Sequence, residues 1–390
     1  MRLVRTLLVA LLLPLGFVGG YFVGTRLSDN SVHLSSGQKQ SAENAGKLQQ
    51  KVIEELQQHY YKKVDVGELS RAGVDGLLQS LQDPWTVYFT PAEMRLFTEQ
   101  TAGKYSGIGA ALEKKKDKLF IAAVFDRSPA KKAGLRAGDE IISVDGKVSA
   151  NPSLEASIAN IKGPAGTKVT LQIRTVGGQL RTLTITRQEI NVPLTDSKLL
   201  TAGAEKVGYV ELSQFADGAG RQVGAALRRM VQKGAGWIIF DLRNNGGGLL
   251  AEAVDVASDF IRSGTIVSTQ GLHSPKEILK ADGDVVTRLP VVLLVNGYTA
   301  SASEIVSGAL QDYHRAHLIG TRTFGKGLVQ NVYSLPGGAA LKITTAVYLT
   351  PAGRDINKRG IAPDLVVKDD EKTTADEVLQ AALRYIAAQP

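Results

Sequence analysis

The sequence predicts an α/β core that carries a smaller β-rich insert, with helical segments at both ends and one apolar segment of membrane length at the start. Three observations predict it. From about Val207 onward, strand-length apolar runs alternate with stretches of helical period. Between Thr101 and Ile190, short strands follow one another at Gly and Pro turns. The run from Leu7 to Gly24 is uncharged and is preceded by Arg2 and Arg5. With 390 residues, 43% apolar and 22% charged, the chain can bury one large core and one or two smaller ones. Its 41 glycines show no fixed period, so they mark turns and close backbone approaches rather than a repeat.

The elements follow in order. Residues 1–27 hold the apolar run, whose 18 residues span roughly 27 Å as a helix, close to a hydrocarbon core. No A-x-A-like site follows it, which favours an uncleaved signal anchor over a cleaved signal peptide, with a buried core helix as the third reading. The leading arginines place the start in the cytoplasm and everything after Arg26 outside. Residues 28–42 are polar, Ser-rich and aperiodic, and read as a tether. Over 43–100, apolar residues at helical spacing (Val52, Leu56, then Val74, Leu77, Leu78, Leu81) predict two or three amphipathic helices, stopped by Asp83-Pro84. The β-rich module occupies 101–190, with strands at 120–124, 140–144, 169–174 and 181–186 and one helix over 154–161. The α/β region, 191–366, places strands at 207–212, 237–242 and 291–295, each followed by a helix (220–233, 249–261, 302–312), then strands at 318–320, 328–333 and 340–348. The tail, 367–390, ends in an amphipathic helix from Thr374 to Ala388.

Composition removes many chemistries. Without cysteine there is no disulfide framework, thiol nucleophile or thiolate metal site. Five scattered histidines (His33, His59, His273, His314, His317) make a His-rich metal site a poor reading, so no metal and no cofactor is expected. The net charge of +8 includes Arg2, Arg5 and Arg26 around the apolar run. The only dense basic run, Lys114-Lys115-Lys116-Asp117-Lys118, reads as a solvated hairpin tip, and no nucleic-acid partner is implied.

Three segments of the α/β region carry polar groups where a strand ends. In Asn296-Gly297-Tyr298-Thr299-Ala300-Ser301-Ala302-Ser303-Glu304, Ser301 sits at a helix N-terminus, where free N–H groups favour developing negative charge. Ser301-x-x-Glu304 is equally a capping box. In Asp241-Leu242-Arg243-Asn244-Asn245-Gly246-Gly247-Gly248, backbone amides can face an oxyanion, or the loop is a passive turn; neither dinucleotide nor phosphate-loop spacing is present. In Thr323-Phe324-Gly325-Lys326-Gly327-Leu328-Val329-Gln330, a Walker-like spacing fails because Gly327 replaces the Ser/Thr and the loop enters a strand. An exposed turn lysine is the plain alternative.

Two resemblances join these segments. Ala133 to Gly146 matches the A-G-L-x-x-G-D-x-I-x-x-V-D/N-G signature, so residues 101–190 resemble a PDZ domain of the bacterial protease type. The Gly107-Ile108-Gly109-Ala110 loop would then take a peptide's C-terminal carboxylate beside a strand edge. Residues 46–390 resemble the C-terminal processing peptidases, tail-specific serine proteases with a Ser-Lys dyad. The match extends to Thr350-Pro351-x-Gly353-Arg354-x-Ile356-Asn357-x-Arg359-Gly360-Ile361-x-Pro363-Asp364.

The resemblance implies an α/β catalytic core of crotonase/ClpP-like architecture with an inserted PDZ domain. It implies Ser301 as nucleophile, Lys326 as base, Gln330 as the residue orienting the lysine, and the backbone N–H groups of Gly247 and Ala302 as the oxyanion hole. It also implies protein substrates with exposed C-terminal tails, a homodimer through the terminal helices, and a body held outside a bacterial cell membrane, with a cleaved secreted form as the alternative. Two departures are visible: Gly246 replaces the family's proline in N-N-P-G-G, and Ile161-Lys162-Gly163 replaces its usual Ile-Arg-Gly. The rival readings are a catalytically silent PDZ adaptor or holdase, and a crotonase-like acyl-transfer enzyme, for which the sequence shows no CoA site.

Overall fold

The computed structural model describes residues 21–22, 35–115, 117–148, 154–370 and 373–389. The apolar segment Leu7 to Gly24 lies outside the described residues except for Tyr21–Phe22. These two are extended and pair in parallel with Gln330–Asn331, so the helix expected there is not present at those two positions. No helix among the described residues is long and apolar enough to cross a membrane.

The chain then enters α1 (Ser36–His59), which begins inside the stretch expected to be a tether. The cause is a capping box: Ser35 Oγ accepts the Gln38 N–H at 3.3 Å, and the Gln38 side chain accepts the Ser35 N–H at 2.9 Å. A second helix, α2 (Val66–Gln79), starts where Asp65 Oδ1 accepts the Gly67 and Glu68 amides. Neither helix buries a residue; Leu48, Val52, Leu77 and Leu81 are all exposed. After Asp83-Pro84 come β1 (Val87–Phe89) and α3 (Pro91–Thr101), both short and without a sequence expectation.

The β-rich module has the expected elements. A two-stranded ribbon, β2 (Lys104–Gly107) with β8 (Gln188–Asn191), closes its neck. Between them lie β3 (Ala110–Lys115), β4 (Lys118–Val124), β5 (Glu140–Val144), α4 (Leu154–Ile161), β6 (Lys168–Arg174) and β7 (Leu180–Thr186). The sheet order β3-β4-β5-β6-β7 leaves β3 on an edge, with α4 beside it. Its own apolar core, including Leu119, Ile121, Val169, Leu171 and Ile173, is separate from the main one.

The main sheet is built from β9 (Thr195–Ala202), β10 (Glu205–Leu212), β11 (Trp237–Asp241), β14 (Val291–Val295) and β15 (Ala316–Gly320), ending on Leu365–Val366. Only the β9/β10 hairpin is antiparallel. A largely parallel sheet must be covered on both faces. Helices α5 (Ala219–Gln232), α6 (Leu250–Ser258) and α7 (Ala302–Asp312) cover one, and α8 (Glu377–Ala387) covers the other with Val378, Ala381, Ala382 and Ile386. That is why all five residues of β14, Val-Val-Leu-Leu-Val, are apolar and buried. A second sheet carries β12 (Thr265–Gln270), β13 (Glu277–Lys280), β16 (Leu328–Ser334) and β17 (Ala340–Leu349), with β1 paired on β17. The turn before β1 thereby arrives at the strand next to the one that carries Gln330.

Candidate active site

Ser301 sits between β14 and α7 with φ 58° and ψ −117°, a left-handed conformation that a residue with a Cβ adopts at a cost of about 1–3 kcal/mol. The strain presents the side chain at the helix N-terminus, as in a nucleophile elbow. Ser301 is fully buried, and its Oγ has no hydrogen bond of normal geometry, although the Tyr348 hydroxyl is a neighbour. Leu250, Ile305, Leu328, Val329 and Tyr348 line a small apolar cavity beside it.

The capping-box expectation is half of what Glu304 does. Its Oε2 accepts the Ser301 N–H at 2.9 Å and also the Lys326 N–H at 2.8 Å. Its Oε1 accepts the Gly325 N–H at 2.8 Å and the Thr323 hydroxyl at 2.5 Å. One fully buried carboxylate therefore fastens the serine elbow to the lysine turn. Burial pushes the Glu304 carboxyl up, and the bonds from Thr323, Lys326, Ser301 and Gly325 only partly counter it. Sequence spacing identified the i, i+3 bond but carried no signal for the bonds 19 to 22 residues away.

Lys326 is 2% exposed. Burial lowers its pKa from 10.5 to about 6, helped by the nearby Lys342 charge and opposed by Asp83 and Glu304. Its Nζ stands 3.8 Å from the centroid of the Trp85 ring. The flanking glycines are required by packing: a Cβ on Gly325 would come within 2.9 Å of the Gly360 nitrogen, and one on Gly327 within 2.7 Å of the Asn357 nitrogen. The Asn357 to Ile361 stretch thus forms the bed of the lysine turn, with Lys358 N–H bonded to Gly325 O at 2.7 Å. Gln330, on β16, is fully buried; its Nε2 faces Thr344 Oγ1 at 3.5 Å, and its Oε1 has no hydrogen-bond partner among the described residues.

The glycine loop lies against the elbow. A Cβ on Gly247, whose φ is 99°, would lie 2.9 Å from both the Ala302 nitrogen and Ser301 Cβ. Asn244 and Asn296 exchange hydrogen bonds, and Asn245 O accepts both the Ala300 N–H and the Ser303 hydroxyl. The Gly247 N–H, expected as an oxyanion donor, donates to Asn245 Oδ1 at 2.9 Å in this arrangement, so the loop uses it internally. Arg243, for which the sequence offered no role, pairs with Asp241 at 2.6 Å and with Asp376, the N-cap of α8, at 2.7 Å.

The other expected residues are elsewhere. Gly107 ends β2, Ile108 is buried in the module's core, Gly109 has φ 76°, and Ala110 opens the edge strand β3. Beside this loop Lys162, which directly follows α4, pairs with Glu99 of α3 at 3.0 Å and covers the Tyr105 ring. His314 follows the far end of α7, and His317, in β15, stacks on Tyr385 of α8, so neither joins Ser301. No group of three or more His, Asp or Glu among the described residues is placed to hold a metal ion.

Comparison with known proteins gives this geometry a class. Residues 206–367 match the model of peptidase family S41, residues 96–174 that of the PDZ domain, and residues 15–92 that of the activating protease CtpB N-terminal domain. A carboxyl-terminal-processing protease of Synechocystis sp. is 38% identical over 325 residues, covering 82% of this chain and 76% of its own. A probable CtpA-like serine protease of Staphylococcus saprophyticus is 36% identical, covering 86% and 68%. The solved photosystem II D1 C-terminal processing protease superposes with a TM-score of 0.52 at 31% identity, covering 84% of this chain and 89% of that one. The fold and its relatives define a serine-type protease with a PDZ domain. The chain belongs to peptidase family S41, among the carboxyl-terminal-processing proteases.

Proposed function

We propose that the protein is an endopeptidase that captures unstructured apolar C-terminal tails on its PDZ domain and cleaves upstream through a Ser301–Lys326 dyad. The observation that carries this reading is the shared Glu304 oxygen, which brings the strained serine and the buried lysine turn to one point. Ser301 Oγ attacks the scissile carbonyl while neutral Lys326 takes its proton. The lysine then gives that proton to the leaving amine, and water, deprotonated by the same lysine, releases the acyl group. Ala302 N–H, and Gly247 N–H once it leaves Asn245, stabilise the oxyanion, each worth about 3–4 kcal/mol when well placed. Gln330 orients the lysine.

The tail would add as a strand to the β3 edge, its carboxylate held by amides of Gly107, Ile108, Gly109 and Ala110. The exposed apolar residues of α1 and α2 support a homodimer through the N-terminal helices. An N-terminal membrane anchor with an extracytoplasmic body completes the reading, supported by the uncharged run behind Arg2 and Arg5.

The test is cleavage of a tailed model protein by the chain from residue 35 onward. Ser301→Ala and Lys326→Ala should each abolish cleavage while tail binding persists. Activity equal to wild type in either would sink the dyad, and tail binding without cleavage by the wild type would favour the silent adaptor.

A further inference from the structure

The turn Asp83-Pro84-Trp85-Thr86, which the sequence presents only as a helix stop, reaches the dyad from the N-terminal segment. On one side the Trp85 ring lies under Lys326 Nζ at 3.8 Å. On the other, Thr86 Oγ1 accepts the Thr344 N–H at 3.1 Å, and Thr344 Oγ1 is the group facing Gln330 Nε2. Asp83 holds the turn together: Oδ1 accepts the Trp85 N–H at 3.0 Å, and Oδ2 accepts the Thr86 hydroxyl at 2.6 Å. Among the described residues, neither Ser301 Oγ nor Gln330 Oε1 has a hydrogen bond of normal geometry, so neither is bonded to Lys326 Nζ in this state.

We propose that Trp85 and Asp83 are positioning residues of the protease: the indole face seats the Lys326 ammonium and Asp83 adds its charge, and catalysis begins when Nζ moves from the ring to Ser301 Oγ. This rests on the reading of Lys326 as the base. An ammonium is drawn to a π face and to a carboxylate more strongly than a neutral amine is. The seat therefore favours the protonated lysine, against burial and against Lys342 on β17, while Glu304 on α7 acts with Asp83. The base becomes competent by losing both its proton and its seat, which ties proton affinity to position. Trp85 also touches Phe324 of the lysine turn edge-on at 6.2 Å, so a shift of the N-terminal segment moves seat and turn together.

The experiment is the pH profile of kcat/KM on a tailed peptide, paired with the pH dependence of inactivation by a fluorophosphonate, which reports Ser301 without the PDZ domain. Removing a group that stabilises the cation lowers the lysine's proton affinity, so Trp85→Leu and Asp83→Asn should each move the acid limb to lower pH by about half a unit or more. Trp85→Phe should restore the limb towards the wild-type position. Asp83→Asn keeps the acceptor for the Trp85 N–H, so it carries the test if Trp85→Leu does not fold. Limbs unmoved in both variants, or activity lost with the limb unmoved and no rescue by Phe, would overturn the inference. Lys326→Ala, run alongside, separates the two readings: retained activity removes the dyad itself, whereas lost activity with unmoved Trp85 and Asp83 limbs removes only the seat.

Discussion

At the scale of single residues, the buried lysine sets two expectations. Under the proposed Ser301–Lys326 dyad, a base with a pKa near 6 is neutral, and able to accept the serine proton, only above that pH, so cleavage should rise through about pH 6 and fall away below it. The same depression affects stability. Between the folded value near 6 and the unfolded value near 10.5 the unfolded chain binds the extra proton, so this group's contribution to stability increases with pH across that window. Replacing it with a neutral chain of similar length, Lys326→Met, should abolish cleavage yet raise the melting temperature at pH 7; a lower melting temperature in calorimetry would refute the burial cost. Glu304→Gln should be far more damaging than its size suggests. The amide turns donors towards a site built of donors, and a loss of about two orders of magnitude in kcat/KM is expected, measured alongside circular dichroism to confirm folding.

At the scale of elements, the glycines divide by what their neighbours leave room for. A Cβ added at Gly246 would meet no atom within 4 Å, and its φ is not left-handed, so Gly246→Ala should stabilise the loop by about 0.4–1 kcal/mol in chemical denaturation. Gly327→Ala should do the reverse, since its Cβ would strike the Asn357 backbone at 2.7 Å and displace the lysine turn. Much of this was legible in the sequence. The 302–312 helix and the 291–295 strand fall where periodicity places them, and the reading of glycines as close backbone approaches holds at the flanks of Lys326. The strand at 87–89 and the helix at 91–101 were not, because the strand is three residues long and the helix turns only Phe97 and Thr101 inward, too few to set a period. The helix start at Ser36 was hidden by polarity, since α1 buries nothing and its signal is a capping box alone.

At the scale of the molecule, two segments distant in sequence meet beside the glycine loop. Arg243 links the end of β11 to the α8 N-cap, and removing it leaves the Asp241 carboxylate buried without its cation. Arg243→Ala should cost about 3–5 kcal/mol of stability and release the C-terminal helix, visible as loss of amide protection over residues 377–387 in hydrogen exchange. Retained protection there would show that the packing of Val378, Ala382 and Ile386 suffices by itself.

The sequence by itself determined the chemistry available to this protein: no thiols, a serine at a strand–helix junction, a lysine between glycines, and a β-rich insert between α/β segments. Those features are local, written in period, spacing and turn residues. Only the tertiary structure decided that Glu304 joins the elbow to the lysine turn, that Asn245 occupies the Gly247 amide, and that Trp85 stands beneath Lys326. Each of these contacts depends on direction and burial, and the spacing of residues along a chain specifies neither until the sheets have placed the segments side by side.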